Sequence, residues 1–459
     1  MKKLIIKDIY NSEVIAEFGY DSFFEVDEKV KKLHTSQKKW KKLSVKERLE
    51  VLQPCLKYFE DNRDEIARDV SKQIGRPEKQ CGSEVNGFFE RADALCKMAE
   101  EVLSPDIFTD KEGFDRSIHH EAFGVIFVVA AWNYPLLITV NSVVPALLAG
   151  NAILLKHSNR TPLIGQHFEK AFCKMGAFEN LLIQTICDHS VTGQVIEEST
   201  VGQVIFTGSV NGGRAILSHA SKQFITPLLE LGGKDAAYIH SDANLEDSVA
   251  SVVDGALFNS GQSCCGIERV YAHESLYEDF LASAKKIMET YVLGDPSSDA
   301  TNLGPVASEK VALELKVQVD AAQKMGAKVL FGGEVEKIAD AFFFQPTLIT
   351  NVTNDMELMQ EENFGPILPV MKVNSIEEAI EKVNDSKFGL TASIFCKDKE
   401  TANIFARDVE SGTVFMNRCD YLDPTLPWTG YKNSGSGGSS LSKHGFYGVT
   451  KRKSYHFKL

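Results

Sequence analysis

The sequence contains no Cys-x-x-Cys pair, no histidines at zinc-ligand spacing beside its cysteines, and no excess of positive charge. Its nine cysteines run singly from Cys55 to Cys419 apart from the adjacent Cys264 and Cys265. An odd number without metal-type spacing predicts neither a disulfide framework nor a bound metal, and a reducing cytoplasm is the natural setting. The formal net charge of −13 argues against nucleic acid as a partner, because a phosphate backbone attracts concentrated Lys and Arg. The local exception, Lys38-Lys39-Trp40-Lys41-Lys42, reads as a solvated helix face. A secretory leader is not expected either, since Met1-Lys2-Lys3-Leu4-Ile5-Ile6-Lys7-Asp8 turns charged again too soon.

Charge is itself absent between Glu121 and Lys156, a span long enough to cross a bilayer. Asn133, Pro135, Asn141, Pro145, Gly150 and Asn151 interrupt it. The pattern predicts a strand over 125–131, a loop over 132–135, a buried helix over 136–148 and a strand over 152–155, which is the interior of an α/β domain rather than a membrane span.

What is present fits a soluble chain of two or three domains, with 459 residues, 43% of them hydrophobic and 25% charged. Residues 1 to about 105 carry helical spacing, as in Leu43, Val45, Leu49, Leu52 and Leu56, with Ser44 and Glu47 placed as a cap. A polar stretch from 106 to 120 reads as a hairpin or an excursion. Strands over 182–186 and 203–206 alternate with helices over 163–174 and 213–220, the signature of a parallel sheet. A second α/β series follows to about residue 417, with helices over 249–257, 276–291 and 309–325 and a strand over 329–333. The tail from 430 to 440 is glycine-rich and flexible in composition. Residues 451–459 alternate as a strand, which needs a partner; a strand of another subunit is expected.

Two stretches carry chemistry. Phe258-Asn259-Ser260-Gly261-Gln262-Ser263-Cys264-Cys265-Gly266 places a cysteine at a turn between a helix and a strand. Small neighbours there leave room for a substrate carbon and leave backbone N–H groups for a developing oxyanion. Two small buried thiols filling a helix end would read the same way. Val204-Ile205-Phe206 runs into Thr207-Gly208-Ser209-Val210-Asn211-Gly212-Gly213, a strand-to-helix turn that favours phosphate. Its spacing is not G-x-G-x-x-G, so by itself it is a weak signal.

Six pieces in order resemble the aldehyde dehydrogenase superfamily: Ala131-Trp132-Asn133-Tyr134-Pro135, Leu155-Lys156, Phe206-Thr207-Gly208-Ser209, Leu229-Glu230-Leu231-Gly232-Gly233-Lys234, Gly261-Gln262-Ser263-Cys264, and Glu361-Glu362-Asn363-Phe364-Gly365-Pro366. The resemblance spans nearly the whole chain. It implies a Rossmann-like dinucleotide-binding domain over 1–105 and 123–232, an α/β catalytic domain over 233–433, and a small β oligomerisation element with the tail over 106–122 and 434–459. It implies a homodimer or homotetramer that oxidises a small aldehyde with NAD or NADP. By the resemblance Cys264 is the nucleophile, Asn133 an oxyanion donor and Glu230 the base that activates water. Trp132, Lys156, Ser158, Asn159, Thr207, Gly208, Ser209, Gly213, Leu231, Glu362 and Phe364 fall on cofactor positions. Tyr134, Leu422 and Trp428 fall on the aldehyde tunnel.

Three departures qualify the resemblance. Lys156-His157-Ser158-Asn159 stands where Lys-Pro-Ser-Glu is common, and neutral Asn159 beside Arg160 repels a 2′-phosphate less than a glutamate does. The expectation leans to NAD but leaves NADP open. Gly437-Gly438-Ser439 replaces a common Gly-Arg-Glu. The entrance segment Asn417-Arg418-Cys419-Asp420-Tyr421-Leu422-Asp423 is charged, so Arg418 could attract a semialdehyde carboxylate and Asp420 or Asp423 an amino aldehyde, or all could face solvent. Cys265 is assigned to packing. The rival readings are a relative that passes the acyl group to coenzyme A, a catalytically silent dinucleotide-binding relative, and a cysteine hydrolase, the last disfavoured because no histidine lies near Cys264.

Overall fold

Strands Val125–Ala130 and Ala152–His157 are buried at every position, as the charge-free run predicts, and the helix Pro135–Leu148 between them is buried along nearly its whole length. The computed structural model describes residues 3–172, 174, 175 and 178–459. A six-stranded sheet runs in the order Gly435–Ser436, Leu228–Glu230, Gln203–Thr207, Val125–Ala130, Ala152–His157, Leu182–Gln184. All its pairings are parallel except that of Gly435–Ser436. Chain order reverses between Val125–Ala130 and Gln203–Thr207, which makes a topological switch point, and ligands bind at the carboxyl ends of strands there. Register aligns those ends: Val129 sits opposite Lys156 and Phe206, and Thr207 opposite Glu230.

The second series forms a seven-stranded sheet in the order Lys328–Phe331, Thr347–Thr350, Ile367–Val373, Ile267–His273, Asp235–Ile239, Thr391–Phe395, Thr413–Met416. It too is parallel, apart from its Lys328–Phe331 edge. The chain is thus α/β with two parallel sheets.

Helices cover the first sheet. Val45–Asp61 starts at the expected capping box, in which the Glu47 carboxylate accepts from the Ser44 N–H at 2.7 Å and the Ser44 hydroxyl accepts from the Glu47 N–H at 3.2 Å. Glu78–Leu103 packs on Pro135–Leu148, where Gly87 lets Leu137 approach. Phe59, Phe88 and Phe168 meet with centroids 4.2 to 6.1 Å apart, contacts worth about 0.5–1.5 kcal/mol each beyond area burial.

Several expectations are corrected. Residues near the N-terminus are not helical: Lys3–Lys7 pairs antiparallel with Val14–Gly19. The helix expected over 163–174 is Pro162–Phe172, with a short strand Lys174–Met175 after it. In the basic run the lysines are exposed, but Trp40 is fully buried and donates its indole N–H to the Leu147 carbonyl at 2.8 Å; its aromatic bulk decides its place. The tail is structured: Gly435–Ser436 joins the first sheet and Ser442–Gly448 is a helix. The terminal strand Thr450–Lys458 finds its partner within the same chain, antiparallel to Phe114–Ala122, which also pairs with Asp106–Phe108 as the expected hairpin. Nine paired positions fill one edge of the terminal strand, so it needs no second subunit to be paired.

Candidate active site

The Cys264 turn follows the helix Leu245–Leu257. Asn259, Ser260 and Gly261 take φ of 54°, 56° and 69° in succession, a left-handed run that costs of order 1–3 kcal/mol for each non-glycine residue. Hydrogen bonds hold it. The Asn259 amide donates to the carbonyls of Asn133 and Gln262 at 3.2 and 3.1 Å and accepts from Arg76 Nε at 3.0 Å. Ser260 Oγ donates to the Gly304 carbonyl at 2.8 Å, and Gln262 Oε1 accepts from the Ala307 N–H at 2.8 Å. Close packing finishes the constraint: a Cβ at Gly261 would lie 2.2 Å from the Gly365 carbonyl oxygen, and one at Gly233 would lie 2.3 Å from that of Cys264. Three motif segments far apart in sequence meet only because these two positions carry no side chain. The result is a half-buried Cys264 lining a cavity of about 620 Å³.

Asn133, tied to the Cys264 turn through Asn259, is buried at 3% exposure, and its side-chain Nδ2 has no hydrogen-bond partner among the described residues. Its backbone is fixed by Arg76, which donates to the Asn133 carbonyl and to Glu84. Glu84 in turn accepts from the N–H groups of Leu136 and Leu137 at 2.8 and 3.3 Å, capping the helix Pro135–Leu148. Arg76 and Glu84 are both buried. Arg76→Met strands the carboxylate and is expected to destabilise the protein by about 3–5 kcal/mol, read as an earlier urea unfolding midpoint; an unchanged midpoint would show the pair to be dispensable.

Glu230, at the end of its strand, lines the same cavity. Neither of its carboxylate oxygens has a hydrogen-bond partner among the described residues. Burial pushes its carboxyl up to about 8, opposed only by nearby Ser440 outside hydrogen-bonding geometry. Tyr134, Leu422 and Trp428 line the cavity as expected. Arg418 does not: it is exposed, with its guanidinium 3.8 Å from the Tyr421 ring centroid, because stacking on that ring turns it outward. Cys265 is more than packing, with its sulfur 2.9 Å from Asp420 Oδ1, which also accepts from Ser263 Oγ at 3.1 Å. The neighbouring Cys264 sulfur, burial and Asp420 hold the Cys265 thiol well above its ordinary value. Asp420 itself sits at φ 48°, pushed up by burial. Arg76, Glu84, Arg91 and the inward turn of Asp420 escaped the reading of the sequence. Glu84 and Arg91, seven apart on a helix face shared with Val85, Phe88, Ala92 and Leu95, are charges on an apolar stripe, and that was the available signal.

Three of the expected cofactor residues, Trp132, Glu362 and Phe364, share a cavity distinct from that of Cys264. This second cavity, of about 720 Å³, is lined by Gln262 as well. Phe364, at φ 54°, meets the Trp132 ring edge-on at 5.6 Å. Its segment is pinned by the buried pair Lys234 and Glu268, whose carboxylate accepts from the N–H groups of Asn363 and Phe364 at 2.8 Å each. Glu362 accepts from the Gly233 N–H at 3.0 Å, and burial with Glu268 pushes its carboxyl up to about 8. Lys156 is buried, lowered by that burial, and makes no hydrogen bond or ion pair among the described residues. Ser158 accepts from the Arg160 N–H at 3.3 Å. Asn159 Oδ1 is buried without a partner. Ser209 caps the helix Val210–Ala220, Gly208 packs on the Phe206 ring and Gly213 on Leu231. Thr207 and Leu231 line the Cys264 cavity as well. Arg160 is committed elsewhere, donating to the Ala307 carbonyl with its guanidinium 5.1 Å from the Trp132 ring centroid. An unpaired buried ammonium, an orphaned amide oxygen and a carboxylate with one donor are the donor set that ribose hydroxyls and phosphates would satisfy. The residues fit a dinucleotide.

A parallel sheet with a topological switch point, together with a turn-held cysteine and a carboxylate unpaired among the described residues on one cavity, is the arrangement of a dinucleotide-dependent α/β enzyme class. The aldehyde dehydrogenase family model matches residues 2–455, and the chain belongs to that family. It is 29% identical over 450 residues to a D-glyceraldehyde dehydrogenase (NADP(+)) of Picrophilus torridus, covering 97% of this chain and 90% of the relative. It is 30% identical to the lactaldehyde dehydrogenase of Escherichia coli, covering 90% and 86%. Among solved structures, a 3,6-anhydro-L-galactose dehydrogenase superposes with a TM-score of 0.94 at 30% identity, covering 99% of this chain and 96% of the other. The chain is an NAD(P)-dependent oxidoreductase acting on an aldehyde group. Among the described residues no helix is long and apolar enough to cross a membrane.

Proposed function

We propose that the enzyme oxidises a small oxygen-bearing aldehyde to its carboxylic acid by hydrolysis, using NADP at least as readily as NAD. The observation that carries the reading is one cavity lined by Cys264 and the unpaired carboxylate of Glu230, with the buried, unpartnered amide of Asn133 tied to the Cys264 turn through Asn259. Cys264 adds to the aldehyde carbon to give a thiohemiacetal. The oxygen that gains charge is received by Asn133 Nδ2 and the Cys264 N–H, the former on a backbone held beforehand by Arg76 and Asn259. When bound, the dinucleotide supplies the hydride acceptor that leaves a thioester at Cys264. Glu230 takes a proton from the water that cleaves it.

A base inside the cavity favours water over coenzyme A as acceptor. Product analysis with and without coenzyme A tests this: the free acid is expected in both cases, and an acyl-coenzyme A product would overturn it. Relatives named for D-glyceraldehyde, lactaldehyde and succinate semialdehyde all take aldehydes bearing further oxygens, which supports that substrate class.

The lean toward NADP rests on neutral Asn159 and on relatives named for NADP(+). Arg160 is tied to Ala307, leaving Lys156 as the cation for a 2′-phosphate. Asn159→Glu is expected to shift the ratio of kcat/KM for NADP over NAD by about tenfold toward NAD, or 1.4 kcal/mol. An unchanged ratio would place the 2′-position elsewhere.

A homodimer or homotetramer is the expected assembly. Ile107 and Phe457 are exposed on the three-stranded sheet and Leu459 just beyond its terminal strand, apolar surface that another copy could cover; light scattering would test it. Free thiols suit the cytoplasm.

A further inference from the structure

We infer that Arg91 and Asp420 read hydroxyl groups on the aldehyde, so that the enzyme prefers a neutral short hydroxyaldehyde to an alkanal or a carboxylate-bearing semialdehyde. The inference rests on the proposal of aldehyde oxidation at Cys264. Arg91 lies on the helix Glu78–Leu103 at 8% exposure. Only Nη1 is engaged, donating to the Leu137 carbonyl and to Asn141 Oδ1, both at 3.2 Å. Nε and Nη2 make no hydrogen bond among the described residues, and Arg91 lines the cavity that holds Cys264. A guanidinium so placed has lost most of its water while keeping open donors.

Asp420 supplies the complement. Its Oδ1 accepts from Ser263 and Cys265, and its Oδ2 accepts from no group among the described residues. It lines the same cavity. Open donors and an open acceptor on the walls around one nucleophile match a hydroxyl, which both accepts and donates.

Charge decides between hydroxyl and carboxylate. Arg76 is spent on Glu84, leaving Arg91 as the unpaired cation of the cavity. Asp420, Asp254 and Glu90 line it with opposite sign. A substrate carboxylate would gain from Arg91 and be opposed by those three, whereas a neutral hydroxyl uses both kinds of partner. An alkanal leaves both unsatisfied, and sites built to bind a hydroxyl discriminate strongly against analogues that lack it.

The test compares kcat/KM for glyceraldehyde, propanal and succinate semialdehyde in the wild type, Arg91→Met and Asp420→Asn. Glyceraldehyde is expected to exceed both others by at least about tenfold in the wild type, with its ratio over propanal falling by about tenfold or more in each variant. A ratio unmoved by both substitutions overturns the inference, as does a wild type that prefers succinate semialdehyde. Calorimetric binding of glyceraldehyde to Cys264→Ala, with and without Arg91→Met, separates the two levels. Propanal turnover by the wild type tests the oxidation itself, while binding that is absent, or indifferent to Arg91, overturns the hydroxyl reading even if no aldehyde is oxidised. Should Arg91→Met fail to fold, Asp420→Asn carries the same comparison.

Discussion

Cys264→Ala is expected to remove aldehyde oxidation by on the order of 10⁴-fold or more, since the other two thiols on the cavity wall, Cys265 and Cys419, are both held above their ordinary values, Cys419 by burial at about 12. Cys265 cannot substitute. It is buried, its sulfur is 2.9 Å from Asp420 and its thiol is held well above its ordinary value, so it stays protonated at neutral pH. The measurement is the absorbance of the reduced nicotinamide under saturating aldehyde. Dinucleotide binding to the variant, followed by fluorescence quenching, should persist, because the second cavity and Lys156 do not depend on the sulfur. Retained turnover in Cys264→Ala would sink the assignment of the nucleophile.

Glu230→Gln is expected to slow the steady state by about 10²–10⁴-fold while leaving a first-turnover burst of reduced nicotinamide. The carboxylate acts after the hydride has left, so its loss should stall the enzyme at the thioester. The wild type carries a matching pH signature. A base must be deprotonated to accept a proton from water, and burial raises Glu230 to about 8. Hydrolysis should therefore climb through about pH 8 and level off roughly one pH unit above that, and the climb should vanish in Glu230→Gln. Equal burst and steady-state rates in the variant would move the base elsewhere.

The motifs that carry the chemistry were legible in the sequence because each is a local solution to a local problem. Ser44 and Glu47 cap a helix whose start they also announce. The turn Thr207-Gly208-Ser209 follows an apolar strand and does cap a helix, through Ser209. Cys264, Glu230 and Asn133 stood in ordered pieces whose resemblance to a family supplied their proposed roles. Of the two readings open for Arg418, attraction of a substrate carboxylate or exposure to solvent, the structure favours the second, and the stacking on Tyr421 that accompanies it left no sign in the sequence. The terminal strand misled: alternation shows that residues 451–459 form a strand but not that Phe114–Ala122 is its partner.

By itself the sequence determined the α/β alternation and the strand-to-helix turns, since these depend on periodicity and on residue types at short range, and through its resemblance to a family it proposed a nucleophile, a base and an oxyanion donor. Only the tertiary structure decided how those groups are held and charged. Arg76 and Asn259 reach the Asn133 carbonyl across 57 and 126 positions of chain, and Glu84 reaches the Leu136 N–H across 52, contacts to backbone carbonyls and helix ends that leave no pattern in sequence. The depth of Arg91, the inward turn of Asp420 and the raised carboxyl of Glu230 come from burial. Burial is a property of what packs around a residue, and here the surrounding groups lie on elements far apart in the chain.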